Sequence, residues 1–261
     1  MLRFFTSCLL LLCFFIARAQ NDSLVIGARD STSFGQRYGL RVGVDLSKPI
    51  RALFDSDYSG LEFVADYRIT KKLYVAAEFG NEKKTSIESL ENIDDIDRVV
   101  LYNYTTSGSY VKLGVDFNTY ENWYGMTNAI IFGARFAGSS FSQTLNNYTI
   151  YDSNRYWNPN NFAPGSGSSE EFSGLTATWL EFLVGIKVEL FANFYLSGSV
   201  RLSYLFTNKE ADFFPNLWIP GFNKVNDNSK FGVGYNYTIS YFIPLYRKKA
   251  NKKKKESPSE E

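Results

Sequence analysis

The sequence predicts an all-β protein, an eight-stranded antiparallel up-and-down transmembrane β-barrel with long extracellular loops. Three observations favour this fold class. Apolar and polar side chains alternate with a period of two along eight segments, short and long connections alternate between those segments, and a secretory leader begins the chain. A secreted soluble barrel would share the alternation but would place its apolar face inside, around a ligand. The combination therefore predicts the membrane barrel.

Residues 1–19 have the features of a secretory signal peptide. A basic residue near the start is followed by the apolar stretch CLLLLCFFIA (8–17), and small residues allow cleavage after Ala19. Both cysteines of the chain lie in this segment, so the exported protein is expected to have neither disulfide nor thiolate chemistry. Residues 20–36 are expected to form a periplasmic N-terminal segment.

The alternation identifies eight strands within residues 37–246, the predicted barrel. In TATWLEFLVGIKVEL (176–190), one face from Leu180 to Leu190 is wholly apolar, whereas the other carries Glu181, Lys187 and Glu189. The other segments with this pattern are YGLRVGVDL (38–46), LEFVADYR (61–68), LYVAAEF (73–79), YVKLGVDF (110–117), IIFGARF (130–136), LSGSVRLSYLF (196–206) and VGYNYTISYFI (233–243).

The connections between these strands alternate in length. The short ones are 69–72, 118–125 and 191–194. The long ones are about 47–59, 80–107, 138–174 and 207–230. Short periplasmic turns and long extracellular loops are typical of outer-membrane barrels, and both termini would then be periplasmic. Aromatic residues at the short-turn side predict an interfacial girdle: Tyr67, Tyr74, Phe117, Trp123, Phe191, Tyr195, Tyr241 and Phe242.

The inward face of the strands carries six basic and seven acidic residues, whereas the apolar face carries no charge. An eight-stranded barrel is just wide enough for side chains to fill, so these charges are expected to pair inside a closed, rigid lumen. A narrow ion path is the alternative. The predicted lumen charges are Arg41, Asp45, Glu62, Asp66, Arg68, Glu78, Lys112, Asp116, Arg135, Glu181, Lys187, Glu189 and Arg201.

Two of the long loops are rich in aromatic residues. The fourth contains DFFPNLWIPGF (212–222), and the third contains TIYDSNRYWNPNNFAPGSGSS (149–169). Exposed apolar clusters often mark partner sites. The alternative is that the loops fold back over the barrel mouth. The candidate partner-binding residues are Phe213, Phe214, Leu217, Trp218, Ile219, Phe222, Tyr156 and Trp157.

Enzymatic activity is not expected, and neither is a cofactor. The chain has no histidine, the usual proton carrier in hydrolytic sites. Metal catalysis would have only carboxylate ligands. The acidic run ENIDDIDR (91–98) is a candidate calcium site, although such runs in exposed loops are usually solvated. With 28 basic and 27 acidic residues, the near-neutral chain gives no reason to expect nucleic-acid binding.

The chain ends in the basic segment 247–261, which we expect to be a disordered periplasmic tail. Clustered lysines of this kind suit an anionic lipid or an acidic partner, or simply increase solubility.

Five segments together resemble a domain-of-unknown-function family of outer-membrane β-barrels from Bacteroidota. They are YGLRVGVDLSKPI (38–50), DYRITKKLYVAAEFGNE (66–82), WLEFLVGIKVELF (179–191), WIPGFNKV (218–225) and FGVGYNYTISYFIPLYRKK (231–249). The resemblance covers nearly the whole exported chain. It implies an integral outer-membrane barrel without assigned chemistry, and as a partner the machinery that assembles outer-membrane proteins.

These features favour a non-enzymatic, multi-pass barrel in the outer membrane of a Gram-negative cell, acting as an accessory subunit of a larger complex. The expected partners are outer-membrane lipids, other outer-membrane proteins or surface lipoproteins, and the β-barrel assembly machinery. Two alternatives stay open: a small channel or carrier for ions and solutes, and a barrel that binds a surface ligand or mediates adhesion through its loops.

Overall fold

The computed structural model of the protein describes residues 36–90, 99–120, 128–151, 162–165, 169–211, 214–225 and 229–248. The predicted signal peptide, most of the N-terminal segment and the tail from residue 249 lie outside these ranges. The acidic run 91–98 and three of the candidate partner-binding residues, Phe213, Tyr156 and Trp157, also lie outside them.

Eight antiparallel strands form the barrel. They are β1 Gln36–Asp45, β2 Tyr58–Arg68, β3 Leu73–Leu90, β4 Val99–Asn118, β5 Ala129–Tyr151, β6 Glu170–Phe191, β7 Phe194–Lys209 and β8 Phe231–Lys248. Each strand pairs with its neighbour in the sequence, and β1 pairs with β8 along its whole length, which closes the sheet into a ring. The predicted up-and-down topology is confirmed.

Shorter elements lie at the end of the barrel that carries the long loops, here called the long-loop end. Helix α1, Ser47–Phe54, connects β1 to β2 in the first loop. In the fourth loop, Trp218–Ile219 pairs with Asn223–Lys224 as a small hairpin. Phe162–Pro164 pairs with the end of β5. Within the described ranges, no helix is long and apolar enough to cross a membrane.

Several strands continue well beyond their predicted ends. The segments 80–107 and 138–174 were predicted to be loops, but β3 and β4 pair from Leu73 and Phe117 as far as Leu90 and Val99. The alternation fails there because the outward positions become polar, as at the exposed Asn81 and Lys83. Threonine, tyrosine and valine still favour strands, and the hydrogen-bonded ladder continues without an apolar outer face.

The outer surface of the barrel is an apolar band. Phe136, Val200 and Val233 are 58%, 62% and 70% exposed, and similar residues occupy the outward positions of every strand. Soluble proteins rarely expose contiguous apolar patches larger than a few hundred Å². The band therefore faces lipid, as predicted for a transmembrane barrel.

The predicted aromatic girdle is wrong in part. Phe191 and Tyr241 are exposed on the outer surface, but Tyr74, Tyr195 and Phe242 are buried inside the barrel at its short-turn end. The period of two explains this placement: Tyr74 shares the inward face of β3 with the lumen charges. Trp123 lies outside the described residues.

Candidate functional site

The centre of the lumen holds a group of five buried charges. The guanidinium of Arg201 bridges two acids, at 2.6 Å from Glu78 and 3.1 Å from Glu181. Arg135 donates to Glu78 at 3.1 Å, and Lys112 donates to Glu181 at 3.0 Å. These side chains come from β3, β4, β5, β6 and β7, so the group ties together strands on different sides of the barrel.

The same network extends towards the short-turn end. Arg135 lies 2.7 Å from Asp116, and Lys187 lies 3.2 Å from Asp116 and 2.8 Å from Asp66. Arg41 completes this part, at 3.3 Å from Asp66. Cations and carboxylates alternate along the path, so every cation here has an acidic partner.

Ten of the thirteen predicted lumen charges belong to this one network; the tenth, Glu62, lies 3.9 Å from Lys112. The other three are engaged elsewhere. Asp45 is buried and accepts from Ser47. Glu189 pairs with Arg37 at 3.0 Å near the short turns, where Arg68 donates to backbone carbonyls.

Neutral side chains link Glu62 to its surroundings. The Tyr110 hydroxyl donates to Glu62 at 2.5 Å. The Asn236 amide donates to Glu62 at 2.9 Å and to Asp45 at 2.6 Å. Both side chains lie on the inward face of their strands, but they are uncharged and were not among the predicted lumen residues. Their inward position in the alternation was the only signal available.

The mouth of the barrel at the long-loop end is organised around Glu82 of β3, whose carboxylate has no solvent exposure. Lys48 of α1 lies 2.5 Å from one carboxylate oxygen. The backbone N–H of Gly221 in the fourth loop donates to the other at 3.1 Å. One buried acid therefore joins the first loop to the fourth. Neither Lys48 nor Glu82 was predicted to lie in the lumen, because both fall in segments predicted to be loops.

Gly221 is required by its position. Its φ of +81° is rarely adopted by L-residues, and a Cβ atom there would lie 2.5 Å from the Tyr110 ring. The close approach of the loop backbone to Tyr110 brings the Gly221 N–H within reach of Glu82.

A second contact between the two loops lies beside the first. The guanidinium of Arg51 on α1 lies 4.3 Å from the ring centre of Tyr58 and 4.9 Å from that of Trp218. Such cation–π contacts are stronger where water is excluded. At the more exposed end of α1, Lys84 donates to Asp55 at 2.7 Å, and this hydrogen bond lowers the pKa of Asp55.

The described part of the fourth loop fills the lumen at the long-loop end, here called the upper lumen. Of the candidate partner-binding residues, Phe214, Trp218, Ile219 and Phe222 are buried. Leu217 is half-buried against the cluster that contains Phe214 and Trp218. Phe222 packs edge-on against the buried Trp179 of β6, with ring centres 5.8 Å apart. These residues fold back into the mouth, so replacing them would disturb packing within the barrel and not a free surface.

A small cavity of about 50 Å³ remains among the charges in the half of the lumen nearer the short turns, here called the lower lumen. Arg41, Asp66, Glu78, Asp116 and Lys187 line it. At roughly 10–15 Å³ for each water, it has room for only a few water molecules. Among the residues that the structure describes, no group of three or more acidic, histidine or cysteine side chains could hold a metal ion.

Comparisons with known proteins assign no activity to this chain. The sequence profile of a family described as a domain of unknown function (DUF6048) matches residues 1–248. A search of curated proteins found no match. The crystal structure of Ail, the attachment invasion locus protein of Yersinia pestis, matches 80% of this chain and 99% of its own, with 11% identity and a TM-score of 0.36. The structure of Ail with the heparin analogue sucrose octasulfate has the same coverage, with 12% identity and a TM-score of 0.33.

Proposed function

We propose that this chain, which belongs to the family described as a domain of unknown function (DUF6048), is a sealed, non-enzymatic scaffold of the outer membrane. In this role the barrel is a rigid support. It holds its first and fourth loops in one arrangement at the long-loop end, where an accessory subunit would meet the rest of a complex.

The observation that carries this proposal is the closure of the mouth by Glu82. Its buried carboxylate binds the Lys48 side chain and the Gly221 backbone together. Loops that served only as flexible connections would not need a fully buried acid to hold them. Two loops joined inside the barrel form a single surface outside it, and a preorganised surface loses less entropy on binding.

The ion-pair network supports a sealed lumen over a channel. A conducting pore needs continuous space and sites that ions can leave. The lower lumen instead contains alternating cations and carboxylates around a cavity of about 50 Å³, and the packed aromatic residues Phe222 and Trp179 lie above it.

The proposal includes no chemical step. With no histidine in the chain, proton transfer would fall to the lumen carboxylates, and Glu78, Asp116 and Glu181 each accept from cations. Carboxylates already bonded to buried cations are poorly placed to take a proton from a substrate.

The partners proposed are outer-membrane lipids and other outer-membrane proteins or surface lipoproteins. The first complex to examine is the β-barrel assembly machinery, which the resemblance in the sequence implied. The experiment is co-purification from native outer membranes in mild detergent, with a tag placed after Glu261, followed by identification of stoichiometric partners.

Two variants make this experiment specific. Lys48→Met breaks the buried link between the loops, whereas Lys84→Met removes a more exposed ion pair between β3 and the first loop. We expect a stoichiometric partner that is lost from the first variant and kept by the second. A barrel that purifies alone from wild-type membranes would contradict the scaffold proposal. Binding of a soluble surface ligand without any membrane partner would favour the adhesion alternative instead.

A further inference from the structure

Helix α1 has two chemically different faces. Lys48, Arg51 and Ala52 lie on the face that contacts the lumen and the fourth loop. Leu53 and Phe54 lie on the opposite face and are 81% and 86% exposed. Ile50, at 45% exposed, shares that face because residues three and four apart on a helix are neighbours. An eight-residue helix thus exposes three large apolar side chains outside the barrel.

The position of α1 in the barrel wall determines what its exposed face contacts. Strand β1 ends at Asp45, and the Leu46 N–H then donates to the Tyr237 carbonyl of β8 at 2.6 Å. The helix contacts both β2 and β8, the two strands that flank β1 in the ring. It therefore continues the barrel wall where β1 stops, with one face towards the lumen and the other outwards.

The outer surface beside α1 is the lipid-facing band itself. On β8, Tyr235 and Val233 are 61% and 70% exposed and lie beyond the level at which β1 ends. On β2, Leu61 and Phe63 are exposed on the other side. The apolar face of α1 is thus continuous with the band across both neighbouring strands.

We propose that the outward face of α1, formed by Ile50, Leu53 and Phe54, docks into the outer leaflet of the membrane. The occupant is lipid, at the boundary between headgroups and acyl chains, where amphipathic helices bury their apolar faces. Continuity with the band favours lipid over a protein partner, because a partner would have to cover one end of a surface whose remainder already faces lipid.

Helix α1 then has two anchors. The helix is held from inside by the Lys48–Glu82 ion pair and from outside by lipid, so membrane contact and loop closure act on the same eight residues. The inference does not depend on the scaffold proposal, since a channel or an adhesin with this helix would meet the same lipid.

The test measures lipid contact directly. Single-cysteine variants are made on a background without Cys8 and Cys13, labelled with an environment-sensitive fluorophore and folded into phosphatidylcholine bilayers. Some of the lipids carry a nitroxide on the acyl chain near the headgroup. The reporting variants are Leu53→Cys and Phe54→Cys. Phe63→Cys reports the lipid-facing band, and Asp57→Cys reports an exposed loop residue just beyond α1.

We expect quenching of the α1 labels within about twofold of the Phe63→Cys label and well above that of Asp57→Cys. Quenching equal to that of Asp57→Cys would overturn the inference and leave the helix face to a protein partner. Quenching that depends on protein density and not on nitroxide lipid would indicate a second copy of this chain, and would overturn it as well. Loss of signal through misfolding is excluded by requiring each variant to resist denaturation by cold detergent.

Discussion

The ammonium group of Lys48 lies 2.5 Å from the carboxylate of Glu82 inside the barrel, although the two residues are far apart in the sequence. The lysine comes from the helix that connects β1 and β2, and the acid from β3. Glu82 also accepts the Gly221 N–H of the fourth loop at 3.1 Å, so this pair joins the two loops through one buried carboxylate.

Lys48→Met should destabilise the folded protein strongly. The substitution leaves Glu82 charged, buried and without its cation, and the loss of one partner of a buried pair costs about 3–5 kcal/mol. The free energy of unfolding, from urea titrations followed by tryptophan fluorescence, measures the effect. Lys84→Met is the matched control, since its more exposed pair with Asp55 should contribute less than about 1 kcal/mol.

The double variant Lys48→Met with Glu82→Gln tests whether the unpaired buried charge causes this loss of stability. Removing both charges should recover part of the stability that Lys48→Met loses, because the uncompensated carboxylate is gone. If the double variant is no more stable than Lys48→Met, the cost lies in packing of α1 and not in the buried charge.

Gly221→Ala should cost about 1–3 kcal/mol in the free energy of unfolding. The alanine would have to adopt a φ of +81°, and its methyl group would approach the Tyr110 ring to 2.5 Å. Gly198→Ala is the control, because a Cβ atom there meets its nearest neighbour, the Tyr237 ring, at 3.8 Å. Equal stability of the two variants would mean that the loop adopts another path into the mouth.

Val200→Arg should destabilise the protein by about 2–4 kcal/mol in bilayers, the cost of a cation near the bilayer midplane. Val200 is 62% exposed and lies in the middle of the apolar stretch of β7. Ser59→Arg, at an exposed position on β2 towards the long-loop end, should be close to neutral. The comparison is made by unfolding both variants from phospholipid vesicles. A tolerated Val200→Arg would contradict the lipid-facing assignment of the band.

Wild-type protein in planar bilayers should show no stepwise conductance, since the lumen charges are paired and the fourth loop fills the upper lumen. Arg201→Ser removes the side chain that bridges Glu78 and Glu181 and should raise the frequency of leak events. It should also lower stability, because each buried carboxylate loses one cation, Glu78 keeping Arg135 and Glu181 keeping Lys112. Regular stepwise openings of the wild type, altered in size by Arg135→Ser, would favour the channel alternative.

Most of the barrel follows from local pattern. The segment 176–190 predicts a strand with its charges inward, and Glu181 and Lys187 are indeed inside, paired with Lys112 and with Asp66 and Asp116. Which cation meets which acid does not follow, because partners such as Lys187 and Asp66 are 121 residues apart in the sequence. Their distances depend on the register of every strand between them.

The strand ends and the loops show where the pattern fails. Alternation marks a strand only where one face meets lipid, so the polar extensions of β3 to β6 beyond the band carried no such signal. In the fourth loop, Phe214 and Trp218 were open to two interpretations, a docking patch or a segment folded over the mouth. Local sequence cannot separate these, since both require the same apolar residues.

The sequence by itself determined the period of two, the apolar outer face and the charged inner face, because these properties belong to each strand alone. Only the tertiary structure decided that Lys48 and Gly221 meet at Glu82, and that the outward face of α1 lies beside the lipid-facing band. Both depend on closure of the ring: pairing of β1 with β8 brings the first and fourth loops to the same side of the mouth. The pattern along the chain does not contain the distance between these two loops.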